Sequence, residues 1–243
     1  NNKHETNKTD NNNKKNIFKN SELFINSITP LQNLKLPNPS FCSIVRFITK
    51  PGFLNIMVEE LIKAPSDEAV SQHTIVTGDN EIMNISLVSN LEGMVSKEET
   101  GVKWLDTVDH MLVKFENGSR TEAISGPIVY YSFNEKNAEY FENKSLKTTI
   151  INLNVKKGKD LELIEQVSKP KLPENIILYC VVQTDQEKFT IICKHALDCT
   201  NNDNLVSLVF FGENDQLLNS FDKSISNSRS GHSFDNFNSL FLP

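Results

Sequence analysis

Apolar residues alternate with polar ones from His73 onward, and a period of two residues predicts β-strands. Turns that contain glycine or asparagine separate most of these segments, as at Gly78-Asp79-Asn80 and Glu116-Asn117-Gly118. The predicted strands are rich in β-branched and aromatic residues and are His73–Thr77, Ile82–Val88, Met111–Phe115, Ile128–Phe133, Thr149–Val155, Ile176–Val182, Phe189–Cys193 and Leu205–Phe211.

Helical spacing dominates before His73. Apolar residues recur every three or four positions between Phe53 and Ile62, and the polar face carries Glu59 and Glu60, which predicts a helix. A shorter helix is predicted after Ile17, whereas Phe41–Ile48 favours a strand, or a short helix if Ser40 caps it. We therefore expect an α+β fold of β-rich mixed sheets with a few helices, mostly N-terminal, and no internal repeat.

Composition divides the chain into four predicted regions. Residues 1–16 are mostly Asn and Lys, with too few apolar side chains to offset the entropy of ordering, so we expect a disordered tail. A helical region at 17–70, a β-rich core at 71–223 and a Ser/Asn-rich C-terminal tail at 224–243 follow.

Charge limits the classes of partner. The formal net charge is −6, and only Arg46, Arg120 and Arg229 supply guanidinium groups, which argues against nucleic acid. No stretch approaches the length of about 20 apolar residues that a membrane-spanning helix needs, so no membrane span is predicted. We expect a protein partner.

Localisation and redox state stay open at this level. The chain begins at Asn1 rather than at a methionine, as expected of a processed product, so secretion or export is allowed although no leader is visible. If Tyr179–Thr184 and Lys188–Cys193 form a hairpin, Cys180 and Cys193 face each other, which allows either a disulfide or two buried thiols. The spacing of Cys and His residues predicts no metal site.

One stretch resembles a known family. The residues in question are Phe115-x-x-Gly118, Tyr130-Tyr131-Ser132-Phe133, Ala138-x-x-Phe141, Thr149–Val155 with Gly158, Pro173-Glu174-Asn175-Ile176 and Lys188-Phe189-Thr190-Ile191. Their order resembles the middle of mono-ADP-ribosyltransferases, over about a third of the chain. The resemblance implies a catalytic Ser132 and Glu174, an NAD pocket formed by Tyr131, Phe133 and Phe141, and NAD as cosubstrate.

The match to that family is incomplete. Cleavage of the nicotinamide–ribose bond needs a carboxylate beside the ribose and an arginine on the pyrophosphate. The residue directly before the predicted strand is Asn175 rather than Glu174, and the upstream strand, taken as Gly101–Leu105, carries Lys103 but no arginine. A diverged relative, or a non-catalytic interaction domain that needs no cofactor, is therefore the favoured prediction.

A second enzymatic reading joins Cys42 to His232. Papain-like cysteine proteases share this order of an early thiol and a late histidine, with Asp235 or Asn236 available to orient the imidazole. A catalytic cysteine favours a helix N-terminus, whereas the residues around Cys42 are typical of a buried strand. Interaction domain, transferase and protease thus remain the three functional hypotheses, in that order.

Overall fold

The computed structural model describes residues 39–63, 69–95, 98–134, 136, 146–168, 172, 176–196 and 221–235. All of them belong to one compact unit of the chain. Within these ranges the strands are β1 (Phe41–Ile48), β2 (Ala69–Val76), β3 (Glu81–Val88), β4 (Glu122–Phe133), β5 (Leu146–Val155), β6 (Ile176–Asp185), β7 (Lys188–Ala196) and β8 (Phe221–Asp235). The α-helices are α1 (Leu54–Lys63), α2 (Leu91–Val95), α3 (Glu98–Val108) and α4 (Asp160–Val167), and a 3₁₀ turn covers Asp109–Met111.

The strands described close into a single barrel. Their order around it is β1-β3-β2-β8-β5-β7-β6-β4, and β4 returns to pair with β1. Every pairing is antiparallel. A closed barrel leaves no sheet edge exposed and separates an interior face from an exterior face along each strand.

The barrel consists of two similar units in tandem. The first runs β1-α1-β2-β3, then α2 and α3, then β4, which is a βαββαβ unit with the spatial order β4-β1-β3-β2. The second runs β5-α4-β6-β7-β8 with the equivalent order β8-β5-β7-β6, and residues 197–220 between β7 and β8 lie outside the description. Two equivalent seams, β2–β8 and β4–β6, join the units.

The turn after the first strand of each unit repeats in detail. Gly52 and Gly158, which are 106 positions apart, have φ angles of 85° and 76°. The turn closes with a hydrogen bond from Phe53 N–H to Lys50 O in one unit and from Lys159 N–H to Lys156 O in the other, at 3.1 and 2.9 Å. Since φ values of this sign favour glycine, both units require glycine here.

The helices that follow these turns repeat the same burial. In α1 the buried residues are Met57, Val58 and Leu61. In α4 they are Leu163, Ile164 and Val167, again 106 positions later in each case. The prediction of no internal repeat is therefore wrong. The two units share too few identical residues for the repeat to be recognised in the sequence, but the turn glycine and the buried helix positions coincide.

Helices cover the outside of the first unit. Phe47 on β1 and Ile82 on β3 pack with the buried face of α1 and with Val108 at the end of α3. The Trp104 ring meets Phe47 edge to face, with centroids 6.3 Å apart. This outer cluster fixes which strand positions face away from the barrel interior.

The predicted elements compare well with this fold in most of the β-rich part. The predicted helix at 53–62 and a strand at Phe41–Ile48 are confirmed, as are strands at the other predicted segments that the structure describes, with one exception. Met111–Phe115 is not a strand, because a 3₁₀ turn and a single bridge at Leu112 occupy it. The predicted helix after Ile17 and the strand Leu205–Phe211 lie outside the described residues.

The coarse prediction of a β-rich α+β fold is confirmed, but the sheet is antiparallel throughout its described strands rather than mixed. Helices α2, α3 and α4 lie beyond the region predicted as helical, 17–70, and that region itself contains β1. Strand β8 runs across the predicted boundary between core and tail at residue 224. The domain division stays a prediction, and the tail 1–16 lies outside the description.

Candidate functional site in the barrel interior

The interior of the barrel is mostly apolar. One cluster of buried residues is contributed by strands of both units and consists of Cys42, Ile44, Ile75, Met83, Ile85, Leu87, Ile128, Ile150, Leu178, Cys180, Val182 and Ile192. Because side chains alternate between the two faces of a strand, the polar residues at the same parity also face the interior. Among them are Ser71 and His73 on β2, Thr148 on β5, and Lys194 on β7.

His73 is a buried imidazole within this apolar surround. It is 4% exposed, and its Nε2 lies 3.1 Å from Ser71 Oγ. Burial, and then the positive charge of Lys194, keep the pKa of His73 well below 6.5. The ring is therefore neutral at physiological pH and has one nitrogen able to accept a proton.

Lys194 is a charged residue on the buried interior face of β7, where lysine is rarely found. Its side chain is 1% exposed, and burial lowers its pKa to about 7. Because β2 and β7 are separated by β8 and β5 in the barrel, its influence on His73 acts across the interior. A lysine with a pKa this low has a substantial neutral amine fraction at neutral pH.

Thr148 lies directly beside Lys194. The two residues are partners in the β5–β7 ladder, so their side chains stand next to each other on the same face. Thr148 is 1% exposed, and its hydroxyl oxygen has no hydrogen-bond partner among the described residues. A buried hydroxyl without a partner costs free energy, about 1–3 kcal/mol, unless a ligand or water satisfies it.

The positions equivalent to Thr148, Lys194 and His73 in the other unit carry no charged or hydroxyl side chain. Cys42 pairs with Leu87 as Thr148 pairs with Lys194. The row Ile44–Ile85–His73 in the first unit likewise matches Ile150–Ile192–Cys180 in the second. The interior therefore holds one Lys194–His73 arrangement, and its symmetry counterpart is Leu87 with Cys180.

Two thiols and one phenol also contribute to the interior. Burial raises the pKa of Cys42 and of Cys180, so both remain protonated thiols, and Cys42 adds to the rise at Cys180. Tyr131 packs against the cluster, and burial, with a smaller effect of Cys180, raises its pKa to about 12. The two thiols are weak hydrogen-bonding partners, the phenol is an ordinary donor and acceptor, and none of the three is a nucleophile at neutral pH.

An ion-pair network occupies a different level of the interior face. Arg46 has the parity of Cys42 and Ile44, and its Nε and Nη1 lie 2.7 Å from Glu81 Oε2 and 2.6 Å from Glu122 Oε2. The guanidinium also stands 5.3 Å above the Phe115 ring. At the equivalent position of the second unit is Asn152, which accepts a hydrogen bond of 2.7 Å from Thr190 Oγ1.

The residues inferred from the transferase resemblance are divided between environments. Tyr131 and Phe133 pack against the interior cluster, whereas Ser132 between them has the opposite parity and pairs with Tyr179. Glu174 and Phe141 lie outside the described residues. The structure thus brings Tyr131 and Phe133 near the interior site, while Ser132 belongs to the other face of β4.

The protease arrangement does not fit the surroundings of Cys42. This residue lies inside strand β1, is 0% exposed, and has a pKa raised by burial. A nucleophilic cysteine needs a lowered pKa and access to substrate, so the physical conditions are the reverse of those required. His232 lies on β8, where its backbone pairs with Lys147.

The cysteines of the β6–β7 hairpin do not face each other. The predicted hairpin forms, with its turn at Gln186–Glu187. A register shift in the ladder, however, places Cys180 opposite Ile192 and Cys193 opposite Tyr179. A shift of one residue sends the two thiols to opposite faces. Cys42, Cys180 and Cys193 are all buried.

Sequence reasoning missed both His73 and Lys194. His73 begins a predicted strand, where a histidine is unremarkable, and Lys194 follows Ile191-Ile192-Cys193, an apolar run without alternation. The only local signal is the parity of Lys194 with Ile192. Among the described residues there is neither a group of side chains suited to hold a metal ion nor a helix long and apolar enough to cross a membrane.

Comparison with known proteins gives a likeness of fold. No family model matches the chain, and no curated protein matches it. Two solved structures, both named "putative monooxygenase", are similar over 81% of this chain. One, from Fusobacterium nucleatum subsp. nucleatum, has a TM-score of 0.55 and 8% identity over 92% of its own chain. The other, from Lactobacillus acidophilus, has a TM-score of 0.57 and 12% identity over 93% of its own chain.

These likenesses overturn the family inferred from the sequence. The fold shared with the two structures is not that of an ADP-ribosyltransferase, so the transferase prediction, with NAD as its cosubstrate, is wrong. The favoured interaction domain and the protease alternative are wrong as well, since the neighbours carry the names of enzymes of another class. The spacing that suggested a nucleotide cleft belongs to β4, β5, β6 and β7 of the barrel.

Proposed function

We propose that this chain is an oxygen-dependent enzyme of the monooxygenase type, with its site in the barrel interior. The observation that carries the proposal is the placement of two nitrogen bases, Lys194 and His73, on the mostly apolar interior face of the barrel. The fold likeness to two proteins named as monooxygenases supports the reaction class. The substrate is then a small, largely apolar molecule with an acidic C–H bond.

The chemistry needs only these bases and dioxygen. One nitrogen base removes a proton from a CH₂ group flanked by carbonyl or aromatic groups, and the apolar surround keeps water from competing. The resulting carbanion supplies the electrons that reduce dioxygen. In the complete reaction the CH₂ becomes C=O, and its two hydrogens leave with the second oxygen atom as water.

The cofactor and partners belong to the same proposal. The reaction as written is balanced without a flavin, a metal ion or NAD, so no cofactor is required. The net charge of −6 gives no reason to add a nucleic acid to the partners. The protein partner expected from the sequence stays a prediction.

Oxygen uptake tests the proposal directly. The purified protein is supplied with cyclic and aromatic compounds that carry an activated CH₂, 1,3-indanedione among them, and uptake is followed with an oxygen electrode. We expect turnover with label from ¹⁸O₂ retained in the product. His73→Gln and Lys194→Met should each lower the rate by about 10²-fold or more, the usual contribution of acid–base catalysis.

Two matched variants separate the site from general effects. His110→Gln and Lys188→Met change the same residue types at exposed positions and should retain the rate. If all four variants behave alike, or if no activated CH₂ compound gives uptake above the protein-free rate, the proposal is overturned.

A further inference from the structure

Lys194, Thr148 and His73 all face the barrel interior, and this set of groups is larger than ordinary acid–base catalysis needs. One base is sufficient to remove a proton, yet here an amine, a hydroxyl and an imidazole face one apolar interior. Lys194 and Thr148 are each 1% exposed and are direct ladder partners. His73 lies across the interior and responds to the charge on Lys194.

We propose that Lys194 is a nucleophile that forms an imine with a carbonyl substrate, and that Thr148 binds the carbonyl oxygen during its formation. This deepens the proposed function, on which it rests, by naming the substrate class as ketones or aldehydes with a C–H bond next to the carbonyl. Amine and carbonyl combine with loss of one water, and the two N–H hydrogens leave with the carbonyl oxygen.

The role of Thr148 follows from its unsatisfied hydroxyl. Its Oγ1 is buried and has no hydrogen-bond partner in the part of the chain that the structure describes, although it can donate one hydrogen bond and accept others. Because Thr148 and Lys194 are ladder partners on the same face, the hydroxyl is the neighbouring donor for the oxygen of a carbonyl that Lys194 attacks. The bound oxygen would then occupy the hydrogen-bonding capacity that the fold leaves open at Thr148.

The role of His73 follows from its weak basicity. An imidazole with a pKa well below 6.5 is a poor base toward an ordinary C–H bond. When an imine is protonated, its positive charge strongly acidifies the neighbouring C–H bond. His73 then takes that proton, the iminium becomes an enamine, and this electron-rich carbon is the species that meets dioxygen.

The state of Lys194 agrees with this geometry. Nucleophilic attack requires the neutral amine, and burial brings the pKa of Lys194 to about 7, whereas exposed lysines are almost fully protonated at neutral pH. The counterpart position in the first unit carries Leu87, which has no nucleophile. One imine per chain is therefore expected.

Acetylacetone is a suitable probe, because this β-diketone forms a stable conjugated adduct with neutral amines. The intact protein is incubated with it at pH 7.5, and adducts are measured by mass and then mapped by digestion. We expect one fast adduct, with the mass of the diketone less one water, at Lys194. Exposed lysines such as Lys188 should react at least about tenfold more slowly.

Three variants sharpen the experiment. Lys194→Met should remove the fast adduct, Lys188→Met should retain it, and Thr148→Val should slow its formation several-fold without loss of folded structure. If the folded wild-type protein is labelled at Lys194 no faster than at Lys188, the nucleophile assignment is overturned. If Thr148→Val reacts at the wild-type rate, the role of Thr148 is overturned.

The outcomes distinguish this inference from the function on which it rests. If oxygen uptake depends on His73 and Lys194 but no adduct forms, the proposed oxygenase function stands and imine formation at Lys194 is excluded. If Lys194 forms the adduct but no activated substrate gives oxygen uptake, the nucleophilic role of Lys194 stands and the proposed oxygenase function is excluded.

Discussion

At the scale of single residues, the burial of Lys194 makes stability depend on pH. The folded pKa is about 7 and the unfolded value is 10.5, so between these limits the unfolded chain binds a proton that the folded chain does not. Stability must then rise with pH in that window. His73 acts in the same direction at lower pH, because its folded pKa also lies below the unfolded value of 6.5.

We therefore expect the free energy of unfolding of the wild-type protein to contain a rise of about 1.4 kcal/mol per pH unit from Lys194 between pH 8 and 10. Lys194→Met should lack this rise and should be more stable than the wild type at pH 7. Urea unfolding at several pH values, taken as the difference between the two proteins, measures it. Equal slopes would show that the amine of Lys194 is solvated in the folded state.

The residues of the site were difficult to predict for a physical reason. A strand such as β7 is buried on both faces, so Ile191, Ile192 and Cys193 give no alternation from which to read the direction of Lys194. The relation between Lys194 and His73 depends on the closure of the barrel, which brings together positions more than a hundred residues apart in the chain. Local patterns contain no information about that closure.

At the scale of secondary-structure elements, the sequence was a better guide. Period-two segments and glycine turns locate most of the described strands, and the apolar face of α1 is evident from Phe53 to Ile62. The prediction of a strand at Gly101–Leu105 is wrong, because these residues belong to helix α3. The helix begins with polar residues and a glycine, and its Trp104 packs on Phe47, a contact that the local pattern does not show. Tertiary contacts here override weak local propensity.

The repeated turn before α1 and α4 gives a prediction at this scale. No atom lies within 4 Å of a Cβ added at Gly52 or Gly158, so substitution costs backbone strain without a clash. Gly52→Ala and Gly158→Ala should each lower the free energy of unfolding by about 1–2 kcal/mol, the cost of a left-handed conformation for a residue with a Cβ. Denaturant titration should give similar losses for both, and a loss in only one would argue against equivalent turns.

At the scale of the whole molecule, the two units depend on each other through their seams. In the β4–β6 seam, a Cβ on Gly126 would lie 1.9 Å from the backbone oxygen of Gln183. Backbone atoms cannot move aside without disturbing the ladder, so this glycine allows the strands of different units to approach. The seam is a requirement of the closed barrel and not of either unit alone.

Gly126→Ala should therefore destabilise the protein by at least about 2 kcal/mol, as overpacking of a core does. Gly101→Ala is the matched control, because nothing lies within 4 Å of its added Cβ and it stands in helix α3, where alanine is favoured by about 0.5–1 kcal/mol. The two variants should shift the urea midpoint in opposite directions. A Gly126→Ala protein as stable as the wild type would mean that the seam relaxes freely.

The covalent connection of the two units affects how such an interior can evolve. In a homodimer of one βαββαβ unit, a lysine introduced into the interior would appear twice, and two amines would have to lose their hydration together. In this chain each unit is encoded separately, so Lys194 can be acquired while its counterpart stays Leu87. A polar residue can then be introduced into one unit alone, and the loss of stability from its burial is incurred once instead of twice, as it would be in the homodimer.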